Sequence, residues 1–117
     1  TAPIMVQLGT GSTTYTTSGY QGGSDLIETS INFSNIGDGF LLTDSNSANH
    51  LYHGLMTLVK LDSDIWVAQA MVATSNTDQF GLMAGSISLA APLTALRVTS
   101  VGITNTFDAG SVNILYD

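Results

Sequence analysis

Residues 51–73, LYHGLMTLVKLDSDIWVAQAMVA, hold two apolar runs on either side of Asp62, Ser63 and Asp64. Helix signals are nearly absent. The acidic triplet reads as a hairpin turn, because Asp side chains bond to nearby backbone and tolerate left-handed conformations. The stretch is therefore expected to be two strands. On a strand, successive side chains point to opposite faces, and here both faces are apolar. Leu51, Leu55, Val59 and Leu61 oppose Tyr52, Met56 and Leu58 in the first run, and Ile65 and Val67 oppose Trp66, Ala68, Ala70 and Val72 in the second. A strand apolar on both faces has to be covered on both. In a two-layer protein of 117 residues, the expected second cover is another copy of the chain. Leu51, Tyr52, Leu55, Met56, Leu58, Trp66 and Val72 are the candidate interface. Burying four or five such side chains at about 1.5–3 kcal/mol each would contribute roughly 6–15 kcal/mol before the entropic cost of association. The competing expectation is that the loop DSNSANH, residues 44–50, folds over this face.

Outward from this pair, Thr-, Val- and Ile-rich runs alternate with clusters of Gly, Asn, Asp and Ser at the spacing of an all-β sandwich or barrel. About eight strands are expected in one domain spanning residues 1–117: Pro3 to Gly9, Thr13 to Gly19, Asp25 to Phe33, Gly39 to Asp44, Leu51 to Leu61, Ile65 to Thr74, Phe80 to Leu89 and Leu93 to Val101. Within the third, Ile27, Ile31 and Phe33 fall on one side and Glu28, Ser30 and Asn32 on the other, the pattern of a half-buried strand. The ending NTFDAGSVNILYD reads as a turn feeding a further strand, Ser111 to Tyr116. Phe107, Asp108 and Gly110 form its structural turn, and Val112, Ile114 and Tyr116 are expected to be packed.

Charge excludes several functions. The net charge is −7 with only two basic residues, Lys60 and Arg97. Neutralising nucleic-acid phosphates needs several Lys or Arg, and the acidic field opposes both nucleic acid and anionic membranes. No apolar run reaches the roughly 18 residues of a membrane-spanning helix. Without cysteine, neither a disulfide scaffold nor a thiolate metal site is available. Thr1, Ala2 and Pro3 read as a start left by removal of an initiator Met, so a whole gene product is the expectation.

No motif amounts to an active site. LGTGSTTY begins like a dinucleotide fingerprint, but a third Gly and a following helix are both missing, and a hairpin turn is expected. His50 and His53 are three apart and would point to opposite faces of a strand, which does not suit a shared metal. Asp62 and Asp64 lack the further oxygens of a calcium loop. No G-x-S-x-G elbow, cysteine nucleophile or pair of carboxylates framing an aromatic cleft is visible. The expectation is a non-enzyme with no cofactor and no metal. Lys60 and Arg97 are expected to be half-buried packing partners of a carboxylate such as Asp108.

VQLGTG, TSGYQGG, DGFLL, GLMTLVKLDSDIWVAQ, GSISLAAPLTALRVTSVG and above all NTFDAGSVNILYD together resemble small virion proteins of tailed bacteriophages over nearly the full length. The resemblance implies a jelly-roll-like antiparallel sandwich, often trimeric, carried on a phage head or tail and made in the host bacterial cytoplasm. Two offices are open. One is a capsid decoration, or cement, protein that clamps the major capsid protein; the other is a receptor-binding tip of a tail fibre or baseplate that holds a host glycan. Decoration is preferred, because a fibre tip normally shares its chain with a shaft.

Overall fold

The computed structural model describes residues 3–27, 31–34, 37–43, 49–103, 107 and 109–116. They form two antiparallel sheets, with no α-helix among the described residues. The strands are β1 (Ile4–Gly9), β2 (Gln21–Ile27), β3 (Ile31–Ser34), β4 (Phe40–Leu41), β5 (Tyr52–Lys60), β6 (Ile65–Thr74), β7 (Phe80–Ser88) and β8 (Ala95–Ser100). The narrow sheet has the order β4-β1-β8 and the wide one β3-β2-β7-β6-β5. Hairpins link β5, β6 and β7 in sequence, whereas β1 pairs with β8 from Ile4↔Ser100 to Gly9↔Ala95, and β2 pairs with β7 from Gln21↔Ser86 to Ile27↔Phe80. The two ends of the chain are thus interleaved in both sheets.

The core lies between the layers. Val6 and Leu8 of β1, with Tyr20 and Phe40, pack against Ala68 and Ala70 of β6 and Met83 and Ile87 of β7. The Tyr20 and Phe40 rings meet edge to face, centroids 4.9 Å apart, a favoured geometry for opposing ring quadrupoles. Phe40 sits over Gly85. A Cβ there would touch the Phe40 ring at 3.2 Å and collide with the Gln21 carbonyl oxygen, so this crossing of the sheets needs glycine. The three-stranded layer leaves part of its five-stranded partner uncovered, and no residue of β5 is fully buried.

Six of the expected strands are present with ends within a few residues: β1, β4, β5, β6, β7 and β8. Three expectations fail. Thr13 to Gly19 is not a strand; it makes one isolated bridge, Gly9↔Tyr15, and is folded back by Thr10 N–H to Thr14 C=O at 3.1 Å and Thr16 N–H to Leu8 C=O at 2.8 Å. The single strand Asp25 to Phe33 is instead part of a hairpin, in which Ile27 pairs with Ile31 and Asp25 with Phe33. Ser111 to Tyr116 is not a strand and has no ladder partner among the described residues; Val112, Ile114 and Tyr116 are exposed rather than packed.

Tyr20 pins the loop that replaces the second expected strand. Its buried hydroxyl accepts from Leu8 N–H at 2.9 Å and donates to the Thr16 carbonyl at 3.0 Å. It thereby satisfies two backbone groups that the irregular segment would otherwise leave unpaired. Burial raises the Tyr20 pKa above its ordinary 10.0, against the smaller opposing effects of the Leu8 N–H and the Arg97 charge. Below the unfolded value the hydroxyl is protonated in both states and its contribution is complete. Above it the unfolded chain loses the proton first, so stability falls as pH rises through the folded value. Tyr20→Phe is expected to cost about 1–3 kcal/mol at neutral pH by stranding the Leu8 N–H. Urea melts of the two proteins should also draw closer together as pH is raised past about 10.

Candidate interaction face

The wide sheet turns one face to the narrow sheet and the other to solvent. Alternation along β6 puts Trp66, Ala68, Ala70, Val72 and Thr74 inward, with Ala68, Ala70 and Thr74 fully buried. Registers then place Leu55, Met71 and Leu82 side by side across three strands on the outer face, through Leu55↔Met71 and Met71↔Leu82. These are 83 %, 65 % and 42 % exposed, and Val59 and Phe80 on the same face are 49 % and 45 % exposed. Leu55, Met71 and Leu82 form an unbroken apolar row across three adjacent strands with Phe80 beside it, of the kind that marks a contact surface, and Val59 stands apart from it beyond the Thr57–Gln69 pair.

The next position in the row is Asp25, paired with Leu82. One of its carboxylate oxygens is shut off from solvent with no donor among the described residues.

The sequence-derived candidates divide between the faces. Leu51 and Leu55 are exposed, at 64 % and 83 %. Met56, Leu58 and Trp66 instead pack on the core cluster from the inner face, and Tyr52 and Val72, partly buried, line an inner-side concavity with Leu42. Alternation identified the two faces of β5 and β6 correctly, but the set drawn from it mixed them. Met71, Phe80 and Leu82 were missed. Cross-strand register alone joins them to Leu55, and register is invisible within any one run. Of the expected C-terminal turn, Phe107 is exposed, Gly110 has φ +137 with open space about it, and Asp108 lies outside the described residues. The competing loop cover, residues 44–50, also falls mostly outside them.

The polar motifs resolve into local structure. His50 Nδ1 lies 3.2 Å from the Tyr52 hydroxyl, and His53 Nδ1 lies 2.8 Å from Ser75 Oγ. No group of three metal-ligating side chains occurs among the described residues. Asp62 accepts the Ile65 N–H at 2.9 Å through its carbonyl, closing the hairpin turn between β5 and β6. Lys60 pairs with Asp64 at 3.5 Å on the surface, an exposed contact that contributes little.

Arg97 meets Gln7 and Tyr15, where a carboxylate partner was expected. Its Nε donates to Gln7 Oε1 at 2.8 Å, and its guanidinium carbon stands 4.4 Å from the Tyr15 ring centroid. Gln7, almost fully buried, in turn donates through Nε2 to the Asp38 carbonyl at 2.8 Å. This chain ties β8, β1 and the turn before β4 on the back of the narrow sheet. Two concavities, one lined by Tyr20, Phe40 and Met83 and the other by Tyr52, Val72 and Phe80, each hold about 10 Å³. That is room for roughly one water molecule.

No family model matches the chain, and neither a curated protein nor a solved structure shows significant similarity to it. Arg97→Ala would leave Gln7 Oε1 buried without its donor, and is expected to lower unfolding free energy by about 1–3 kcal/mol. Urea denaturation of the two proteins at neutral pH checks this.

Proposed function

We propose that this chain is a non-enzymatic virion structural protein of a tailed bacteriophage that associates with copies of itself, as a trimer, and decorates the capsid by binding the major capsid protein. The observation that carries the reading is the outer apolar row of Leu55, Met71 and Leu82. An exposed row of this size is suited to permanent protein contact. Burying Leu55, Met71 and Leu82 together with Val59 and Phe80 on the same face, at about 1.5–3 kcal/mol for each fully exposed side chain and in proportion to the area still exposed, would contribute roughly 4–9 kcal/mol before association costs. The phage assignment rests on the resemblance carried by residues 105–117. A jelly-roll-like description of the fold is supported by the nesting of β1 with β8 and of β2 with β7.

A cement protein strengthens a shell by mass action. Each occupied site adds RT ln(1 + [L]/Kd) to the assembled state, about 2.7 kcal/mol at a hundredfold excess over Kd. Many such sites make a tougher particle.

Met71→Lys, at the centre of the row, tests the association. The side chain is exposed in the single chain, so its own stability should change by no more than about 1 kcal/mol, while the mass found by light scattering should fall from oligomer to monomer. An unchanged mass would remove the row from the interface. The capsid role is tested by deleting the gene. Decoration predicts heads that release DNA at lower temperature while adsorption to the host is retained; normal heads with lost adsorption would move the protein to receptor binding and a host glycan.

A further inference from the structure

We infer that residues 111–116 of one copy add as a strand to the open edge of β5 in a neighbouring copy. The inference rests on the self-association proposed above and supplies its geometry. The segment has no strand partner among the described residues, yet alternates Ser111, Asn113 and Leu115 with Val112, Ile114 and Tyr116. Val112 and Ile114 are 67 % and 54 % exposed, and Leu115 and Tyr116 are 91 % and 90 % exposed. A strand sequence without a neighbouring strand leaves both its apolar side chains and its backbone groups in water.

β5 offers the complement. Leu61 N–H donates to the Ile65 carbonyl and Ser75 N–H to the Leu51 carbonyl. In an antiparallel ladder bonded pairs alternate, so the odd residues of β5 exchange bonds with β6. The N–H and C=O groups of Gly54, Met56, Leu58 and Lys60 therefore face away from β6, toward an edge that no described strand occupies. Gly54 belongs to this edge, and a Cβ there would collide with the Met71 carbonyl oxygen and stand 2.9 Å from the Val72 Cα.

Length and exposure together select β5 among the four sheet edges. The six residues 111–116 extend over about 20 Å at 3.4 Å per residue. β3 and β4, with four and two residues, are too short to pair with it; β8 has six and β5 nine, but no residue of β8 is exposed, whereas six of the nine in β5 are. An added strand would also continue the outer row beyond Leu55 and cover the half-exposed inner flank of Met56 and Leu58. Each copy gives one arm and receives one, a head-to-tail contact that closes into a ring when the rotation between copies is right. A trimer is such a ring. Gly110, at φ +137 with open space about it, provides a hinge where the arm leaves its own domain.

The chain has no cysteine, so introduced thiols report without background. Full-length Thr57→Cys and full-length Ile114→Cys, both altered at exposed positions, are mixed, allowed to exchange subunits and treated with a short bismaleimide. Held neighbours react at millimolar effective concentration, so the mixed dimer should exceed that from Thr13→Cys with Ile114→Cys on the order of a hundredfold in micromolar protein. In parallel, full-length Val112→Asp/Ile114→Asp should lose oligomer mass while keeping its far-UV strand spectrum. Equal cross-linking at Thr57 and Thr13 in an oligomer that persists would overturn arm exchange and leave association through the outer row standing. A monomer under all conditions would overturn both.

Discussion

A three-stranded sheet cannot cover a five-stranded one. At about 4.8 Å between strands the wide layer extends some 10 Å beyond the narrow layer, and the rest of the molecule is arranged around that mismatch. Where the layers overlap, small residues on the wide sheet, Ala68, Ala70 and Gly85, let Val6, Leu8 and Phe40 approach closely. Where they do not overlap, β5 keeps apolar residues on both faces and buries none of them fully.

The narrow sheet solves the opposite problem. Its central strand β1 is buried on both faces, with Met5 and Gln7 as inaccessible as Val6 and Leu8, although only one face meets the other sheet. The back is closed by irregular chain, and irregular chain brings unpaired backbone. Tyr20 and Gln7 satisfy it with neutral hydrogen bonds to Leu8, Thr16 and Asp38, and Arg97 holds Gln7 in place. This explains how one of only two cations in the chain is spent inside a structural network.

The strands of the second half were legible because turn formers bracket them: Asp62, Ser63 and Asp64 before β6, and Ser75 through Asp78 before β7. The hairpin of β2 and β3 was not. Glu28, Thr29 and Ser30 carry no Gly, Asn or Pro, and the alternation of Ile27, Ile31 and Phe33 runs on across the reversal of direction. Thr13 to Gly19 has strand-forming residues but is held as a loop by Tyr20, a tertiary contact that outweighs local preference. The ending has the pattern of a strand, yet pattern cannot supply a neighbour. The apolar face was legible as a property of β5 and β6, and its extent was not, because Met71 and Leu82 join it only across the ladder.

The pairing of Ile4 with Ser100 also sets an order of events in time. During synthesis β1 emerges first and must wait for β8, so an almost wholly apolar hexapeptide, IMVQLG, stays without its partner until nearly the whole domain has been made. The hairpins of β5, β6 and β7 close short loops and need no such delay. A meander that forms early and a seam that closes last make the unfinished chain prone to pairing with its neighbours. Slower synthesis and a lower growth temperature, which give that seam time to close, are therefore expected to raise the yield of correctly closed protein.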